Sequence, residues 1–178
     1  MKKILLTITA ATLTVSAAAQ TRSMGARLGV TGFEASYQHN MNKNQFLEGN
    51  IGLDFGVLAD KQPGIKATAT YNFIWARPAW TDEGTWAIYA GPGASMGYVH
   101  DEVHYKVGKE VIHYNDGGFM LGLACQVGVE YTFWFPLQVS IDLRPCIGMH
   151  VNAHKTRAGL YDSGFLGFTP SISARYKF

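Results

Sequence analysis

Phe165-Leu166-Gly167-Phe168-Thr169-Pro170-Ser171-Ile172-Ser173-Ala174-Arg175-Tyr176-Lys177-Phe178 alternates residue by residue to the end of the chain. Leu166, Phe168, Pro170, Ile172, Ala174, Tyr176 and Phe178 share one face, and Gly167, Thr169, Ser171, Ser173, Arg175 and Lys177 share the other. A period of two is the signature of a β-strand, whose successive side chains point to opposite sides of a sheet. A strand with one apolar and one polar face stands between two surroundings, hydrocarbon on one side and a polar interior on the other.

The same alternation recurs upstream. Segments at Arg22–Val30, Phe33–Asn40, Phe46–Val57, Ile65–Ala76, Trp86–Val99, Phe119–Phe133 and Leu137–Val151 precede Phe165–Phe178, which makes eight strands. Fusing the first two through a glycine bulge at Gly32 would leave seven. Eight is preferred, because an even count returns both termini to one end. Tight turns at Met41–Gln45 and Trp134–Pro136 then share that end, and the long connections His100–Gly118 and Asn152–Gly164 share the other. After Ala19 no apolar run reaches the roughly 18 residues of a spanning helix. A chain that spans lipid without helices must close into a barrel, so that every backbone group is paired internally. The predicted fold is all-β, a closed antiparallel up-and-down barrel. Trp75, Trp80, Trp86, Phe133, Trp134 and Phe135 all fall at the turn end, where amphipathic rings suit a membrane interface.

Lys2 and Lys3 precede an apolar run from Ile4 to Val15, and Ala17-Ala18-Ala19 supplies the small-residue cleavage pattern of a secretory leader. The expected organisation is a cleaved signal peptide over 1–19 and one barrel domain over 20–178. Without the two leader lysines, basic and acidic residues balance at 13 each, which leaves no electrostatic footprint for nucleic acid.

Parity places Arg27, Glu34, Glu48, Asp54, Lys66, Glu130, Asp142, Arg144, Arg175 and Lys177 inward, five bases and five acids. It places Leu28, Phe33, Ile51, Phe73, Leu121, Leu123, Val127 and Ile141 outward. The interior of an eight-stranded barrel is only just wide enough for side chains. Balanced charges are therefore expected to pair as a plug of ion pairs; a narrow porin-like channel is the alternative. Asp142 and Arg144, neighbours on one face, are expected to anchor this network with Glu130 across the hairpin, and His150 to join it. Cys125 falls outward and Cys146 inward, which keeps them from meeting in a disulfide.

The fifth and sixth strands are expected to continue beyond the membrane, because Val103–Val107, Gly108-Lys109 and Glu110–Tyr114 read as a hairpin. Its exposed backbone edges would accept a partner strand, with His104, Tyr105, Lys106, Lys109, Glu110 and His113 as candidate interaction residues. The His104/His113 pair lacks the further Cys or carboxylate of a metal site, and no metal or cofactor is assigned. His154, Lys155, Arg157 and Asp162 in the last connection suit lipopolysaccharide phosphates. A barrel enzyme acting on lipid A needs a Ser with a His and a carboxylate near the interface. Ser36, Ser95, Ser140, Ser171 and Ser173 fall inward, away from acyl chains, so no catalytic residue is assigned and a lipid A-modifying enzyme is the third reading.

The leader, the alternating segments, the balanced lumen charges and the Tyr176-Lys177-Phe178 ending resemble the small outer-membrane barrels of the outer-membrane protein A and protein X (opacity-like) type. In that group a terminal Phe two residues after another aromatic serves as the assembly signal, here Tyr176 and Phe178. The resemblance covers the barrel architecture, with no motif match outside the last strand. It implies an integral protein of the outer membrane of a Gram-negative bacterium, exported by the Sec route and inserted by the barrel-assembly machinery. Outer-membrane lipid and lipopolysaccharide would surround it, with an extracellular protein partner at its outer loops and no cofactor. The implied role is structural or adhesin-like. The chain lacks the peptidoglycan-binding domain of the protein A type, so a cell-wall tether is not implied.

Overall fold

The computed structural model describes residues 22–56, 62–107, 110–152, 157–162 and 169–178, with backbone alone at 101–107, 110–116, 157–159 and 162. The leader at 1–19, the turn residue Lys109, His154 and the Phe165–Phe168 start of the last predicted strand lie outside the described residues. The elements are β1 (Arg22–Gly29), β2 (Gly32–Asn42), β3 (Gln45–Asp54), β4 (Gly64–Ala76), β5 (Thr85–Val107), β6 (Glu110–Thr132), β7 (Leu137–Leu143), β8 (Cys146–Asn152), β9 (Arg157–Asp162) and β10 (Pro170–Lys177). They form one sheet in the order β5-β4-β3-β2-β1-β10-β7-β6-β8-β9, and the further β5–β6 pairing closes it into a ring.

Ten strands make eight staves. β7 and β8 are a single stave: Leu143 stands opposite Val127 and Cys146 opposite Ala124, the same register on β6. Only Arg144-Pro145 interrupts it. Pro145 has no N–H to give a neighbour, but its carbonyl still accepts from Cys125 N at 3.0 Å. This is also where the neighbour changes, since β10 pairs with β7 and β9 with β8. A proline here therefore costs the sheet little. The eighth stave is thus β9 and β10 together. β9 occupies part of the Asn152–Gly164 stretch expected to be loop, a correction whose cause is pairing: Arg157–Asp162 finds the free edge of β8.

The boundary at Thr31-Gly32 resolves in favour of eight. β1 and β2 are separate antiparallel strands, paired from Arg22 opposite His39 to Gly29 opposite Gly32. Gly32 is needed for close approach, because a Cβ there would lie 2.0 Å from the Leu53 carbonyl oxygen.

Two faces define the molecule. Leu123, Leu28 and Ile141 on the outer face are 73%, 66% and 64% exposed, whereas Arg27, Glu48 and Arg175 on the inner face are 1%, 0% and 1% exposed. This reverses the ordinary rule that charge goes outside. At the end where Arg22 and Phe178 lie, rings run in contact from Trp80 to Trp86 (5.2 Å between centroids), Tyr131 (4.7 Å), Phe133 (4.6 Å), Phe135 (4.9 Å) and Trp134 (5.2 Å). Gly84, at φ +76°, brings the β4–β5 connection over the Tyr131 ring, and Tyr131 Oη donates to Glu83 O at 2.8 Å.

Among the described residues Cys125 is an exposed free thiol and Cys146 a buried one. A small maleimide is expected to add one label per folded chain in detergent, at Cys125, and two after unfolding. A folded chain that takes no label, or whose mass shows a disulfide, would contradict the register of β6 and β8.

At the opposite end β5 and β6 run on as a two-stranded ribbon. Their pairing continues to Val107 opposite Glu110, but β4 leaves β5 at Ile65 opposite Tyr98 and β8 leaves β6 at Phe119 opposite Val151. The two strands therefore run past the segment bounds at Val99 and Phe119 and into the hairpin, the continuation expected from the sequence, because each keeps the other as partner after its outer neighbour departs.

Candidate functional site

The lumen is organised around Arg27 on β1. Its guanidinium donates to Glu48 Oε1 at 3.0 Å, pairs with Asp142, and stands 3.6 Å from Glu34, which lies directly opposite on β2. Arg175 on β10 approaches the same Glu48 oxygen at 3.3 Å, donates to Ser36 Oγ at 3.0 Å and Ser140 Oγ at 2.9 Å, and lies 3.8 Å from Glu130. Arg144 pairs with Glu34. Glu48 also accepts from Asn50 at 3.0 Å and Gln126 at 3.2 Å, and Asp142 accepts from Tyr89 at 3.3 Å and Ser171 at 3.0 Å. Glu34, Glu48 and Asp142 are thus each met by cations or neutral donors, as a charge so deeply buried requires, and the only cation that Glu130 meets among the described residues is Arg175, at the long contact.

Asp142 and Arg144 both belong to the network, as expected, but the pairing departs from expectation at Glu130 and at His150. Asp142 and Arg144 do not pair with each other: each reaches across the lumen, to Arg27 and Glu34. Same-face neighbours on one strand are roughly 7 Å apart, while the far wall of a narrow barrel is within side-chain reach. Glu130 turns to Arg175 rather than to the Asp142/Arg144 pair. Among the neutral members, Ser36 was placed inward from the sequence, whereas Asn50 and Gln126 were not singled out, although their parity marks them as inward.

Lys66 and Asp54 form a separate ion pair nearer the ribbon end. Beyond it Val99, Met120, Ala124, Cys146 and Tyr161 make an apolar layer across the interior. His150 does not join the charge network; its Nε2 meets Val99 O at 3.1 Å. Lys177 sits half-buried at the turn-end rim. Tyr176 lies on the outer face, 60% exposed, and Phe178 N donates to Arg22 O at 2.9 Å.

In the ribbon, backbone register sets His104 opposite His113, Tyr105 opposite Ile112, and Lys106 opposite Val111. Among the described residues no group of three His, Cys, Asp or Glu is placed to hold a metal ion.

No family model matches the sequence, and no curated protein matches it. Among solved structures the chain is similar to the N-terminal β-barrel domain of Pseudomonas aeruginosa OprF, with a TM-score of 0.53 and 10% identity over 88% of this chain and 95% of that one. The likeness is one of fold. An all-β, closed, antiparallel eight-stranded barrel is the architecture the two share, and the plug residues belong to this chain's own geometry.

Proposed function

We propose that this protein is an integral outer-membrane barrel of the protein A type, exported by a cleaved leader at 1–19, whose lumen is closed and whose work is done by its ribbon end. The observation that carries the reading is the inverted distribution of polarity, with leucine and isoleucine outside and paired arginines inside. The dimensions agree. Along β6 the exposed Phe119 and the turn-end Tyr131 bracket the apolar outer face. At about 3.3 Å per residue and a tilt near 40° they span roughly 30 Å, the thickness of a bilayer's hydrocarbon core. Outer-membrane lipid and lipopolysaccharide are the surroundings this face suits, with Tyr176 and Phe178 presented to the barrel-assembly machinery.

The ion-paired centre and the apolar layer above it leave an interior suited to support rather than transport. The role then falls to the ribbon, whose outer backbone edges have no strand beside them among the described residues. Such an edge accepts an extended segment of another protein by main-chain hydrogen bonding, and we assign the chain a surface-interaction, non-enzymatic role. In planar bilayers the folded protein is expected to give no unitary currents. Reproducible currents altered by Asp142→Asn would replace this reading with a narrow channel. Cells displaying the chain should attach to protein-coated surfaces, and should lose that attachment when 101–116 is cut to a two-residue turn; equal attachment by both would remove the ribbon from the function.

A further inference from the structure

At the turn end the lumen opens into a cavity of about 190 Å³, lined among others by Lys43, Arg77, Lys177, Gln138 and Glu130. Three of these are cations brought from separate places: the β2–β3 connection, the β4–β5 connection and the end of β10. Arg77 Nη2 donates to Lys43 O at 2.6 Å, which ties the two connections together. None of the three cations has an ion-pair partner among the described residues.

The floor carries the opposite charge. Glu130 is 94% buried, being 6% exposed, and its Oε2 has no hydrogen-bond partner. The cation nearest to it, Arg175, stands 3.8 Å away and is already engaged by Glu48, Ser36 and Ser140. In the central lumen Arg27, Arg144 and Arg175 face Glu34, Glu48, Glu130 and Asp142, so one carboxylate is in excess, and the long contact marks Glu130 as that one. Besides Arg175 the Glu130 carboxyl has only the neutral amides of Gln38 and Gln138 beside it, and it lines the cavity, so a cation arriving there supplies the opposite charge that a buried carboxylate requires.

We propose that this vestibule binds a small zwitterion whose ammonium group reaches Glu130 while its carboxylate stays on the rim formed by Lys43, Arg77 and Lys177. Glu130 lies two residues inside Thr132, which pairs with Thr85 and Gln138 at the strand ends. The two charges must therefore be separated by roughly 7 Å. Glycine is too short. An ω-amino acid of several methylenes, or lysine through its side chain, has the reach, and the cavity is smaller than the pockets of drug-sized ligands. The same chemistry is offered by free lysine and by the C-terminal lysine of a peptide.

Calorimetric titration of the folded protein in detergent tests this with glycine, 4-aminobutyrate and 6-aminohexanoate, and with hexylammonium and hexanoate as single-charge probes. Affinity is expected to rise at least ~10-fold from glycine to 6-aminohexanoate, into the millimolar range, and to fall at least ~10-fold for either single-charge probe. Glu130→Gln should abolish the dependence on chain length. Lys177→Met, at a half-exposed position that folding tolerates, should weaken 6-aminohexanoate and hexanoate several-fold and leave hexylammonium unchanged. Nα-acetyl-lysine binding more tightly than lysine would assign a peptide terminus, and the reverse the free amino acid. Absence of binding, equal affinity along the series, or an unaltered profile in both variants would overturn the proposal.

Discussion

Arg27→Met will lower the unfolding free energy of the barrel by about 3–5 kcal/mol, because removing one partner of a buried ion pair strands the other. Arg27 is met by three carboxylates from three strands, Glu34, Glu48 and Asp142. Arg175 still faces Glu48 in the variant, and Arg144 still faces Glu34. Asp142 is left with Tyr89 and Ser171, neutral donors that cannot balance its charge. Urea unfolding in lipid vesicles, followed by the emission of the turn-end tryptophans, is the measurement. Arg144→Met, which strands Glu34 with Arg27 still 3.6 Å away, should cost less, roughly 1–3 kcal/mol. Adding Asp142→Asn to Arg27→Met should restore part of the loss, since the penalty is an unpaired charge rather than missing volume. A single Arg27→Met variant as stable as the parent would mean that water solvates these carboxylates, and the closed lumen would fall with it.

The faces of this barrel were legible in the sequence because parity is a local property. Once Ile172 and Ser173 point opposite ways, so do Leu28 and Arg27, and the inward charges follow strand by strand. Partners across the lumen were not legible, because they depend on how the ring closes. Nothing in the alternation of the stave that holds Asp142 and Arg144 says that they will reach away from each other, to β1 and β2. β9 was missed for a related reason: Arg157-Ala158-Gly159-Leu160-Tyr161-Asp162 carries a charge at each end and only a short alternation, and it is a strand because β8 supplies an edge. The hairpin was legible from its own residues in register, His104 opposite His113, and so was its place as a continuation of β5 and β6; only the charged stretch at His100–Glu102, which reads as loop, hid that the pairing runs through without a break. The turn-end cavity was invisible to parity altogether, because Lys43 and Arg77 lie in connections, where a period of two has no meaning.

The apolar outer face gives the most direct test of what surrounds the protein. Leu123→Arg is expected to destabilise the barrel by about 2–4 kcal/mol in a bilayer, the cost of a charge near the midplane. Leu123 is 73% exposed and lies two residues from Cys125, halfway along β6 between Phe119 and Tyr131. No packing inside the protein is lost when such a side chain is replaced, so the penalty comes from the surroundings alone. Met41→Arg is the matched control: it is also exposed, at 56%, but sits at the end of β2 on the turn-end rim, where the cost falls to about 0–1 kcal/mol. Equilibrium unfolding of both variants in vesicles therefore gives a depth gradient. In water an exposed Leu→Arg change is nearly neutral at either depth, so equal stabilities for the two variants would mean that no hydrocarbon meets Leu123, and the spanning reading would fail even with the barrel intact. A gradient of the expected size would fix the bilayer midplane near Cys125, and would thereby place the β5–β6 ribbon beyond the lipid, where its backbone edges can be reached.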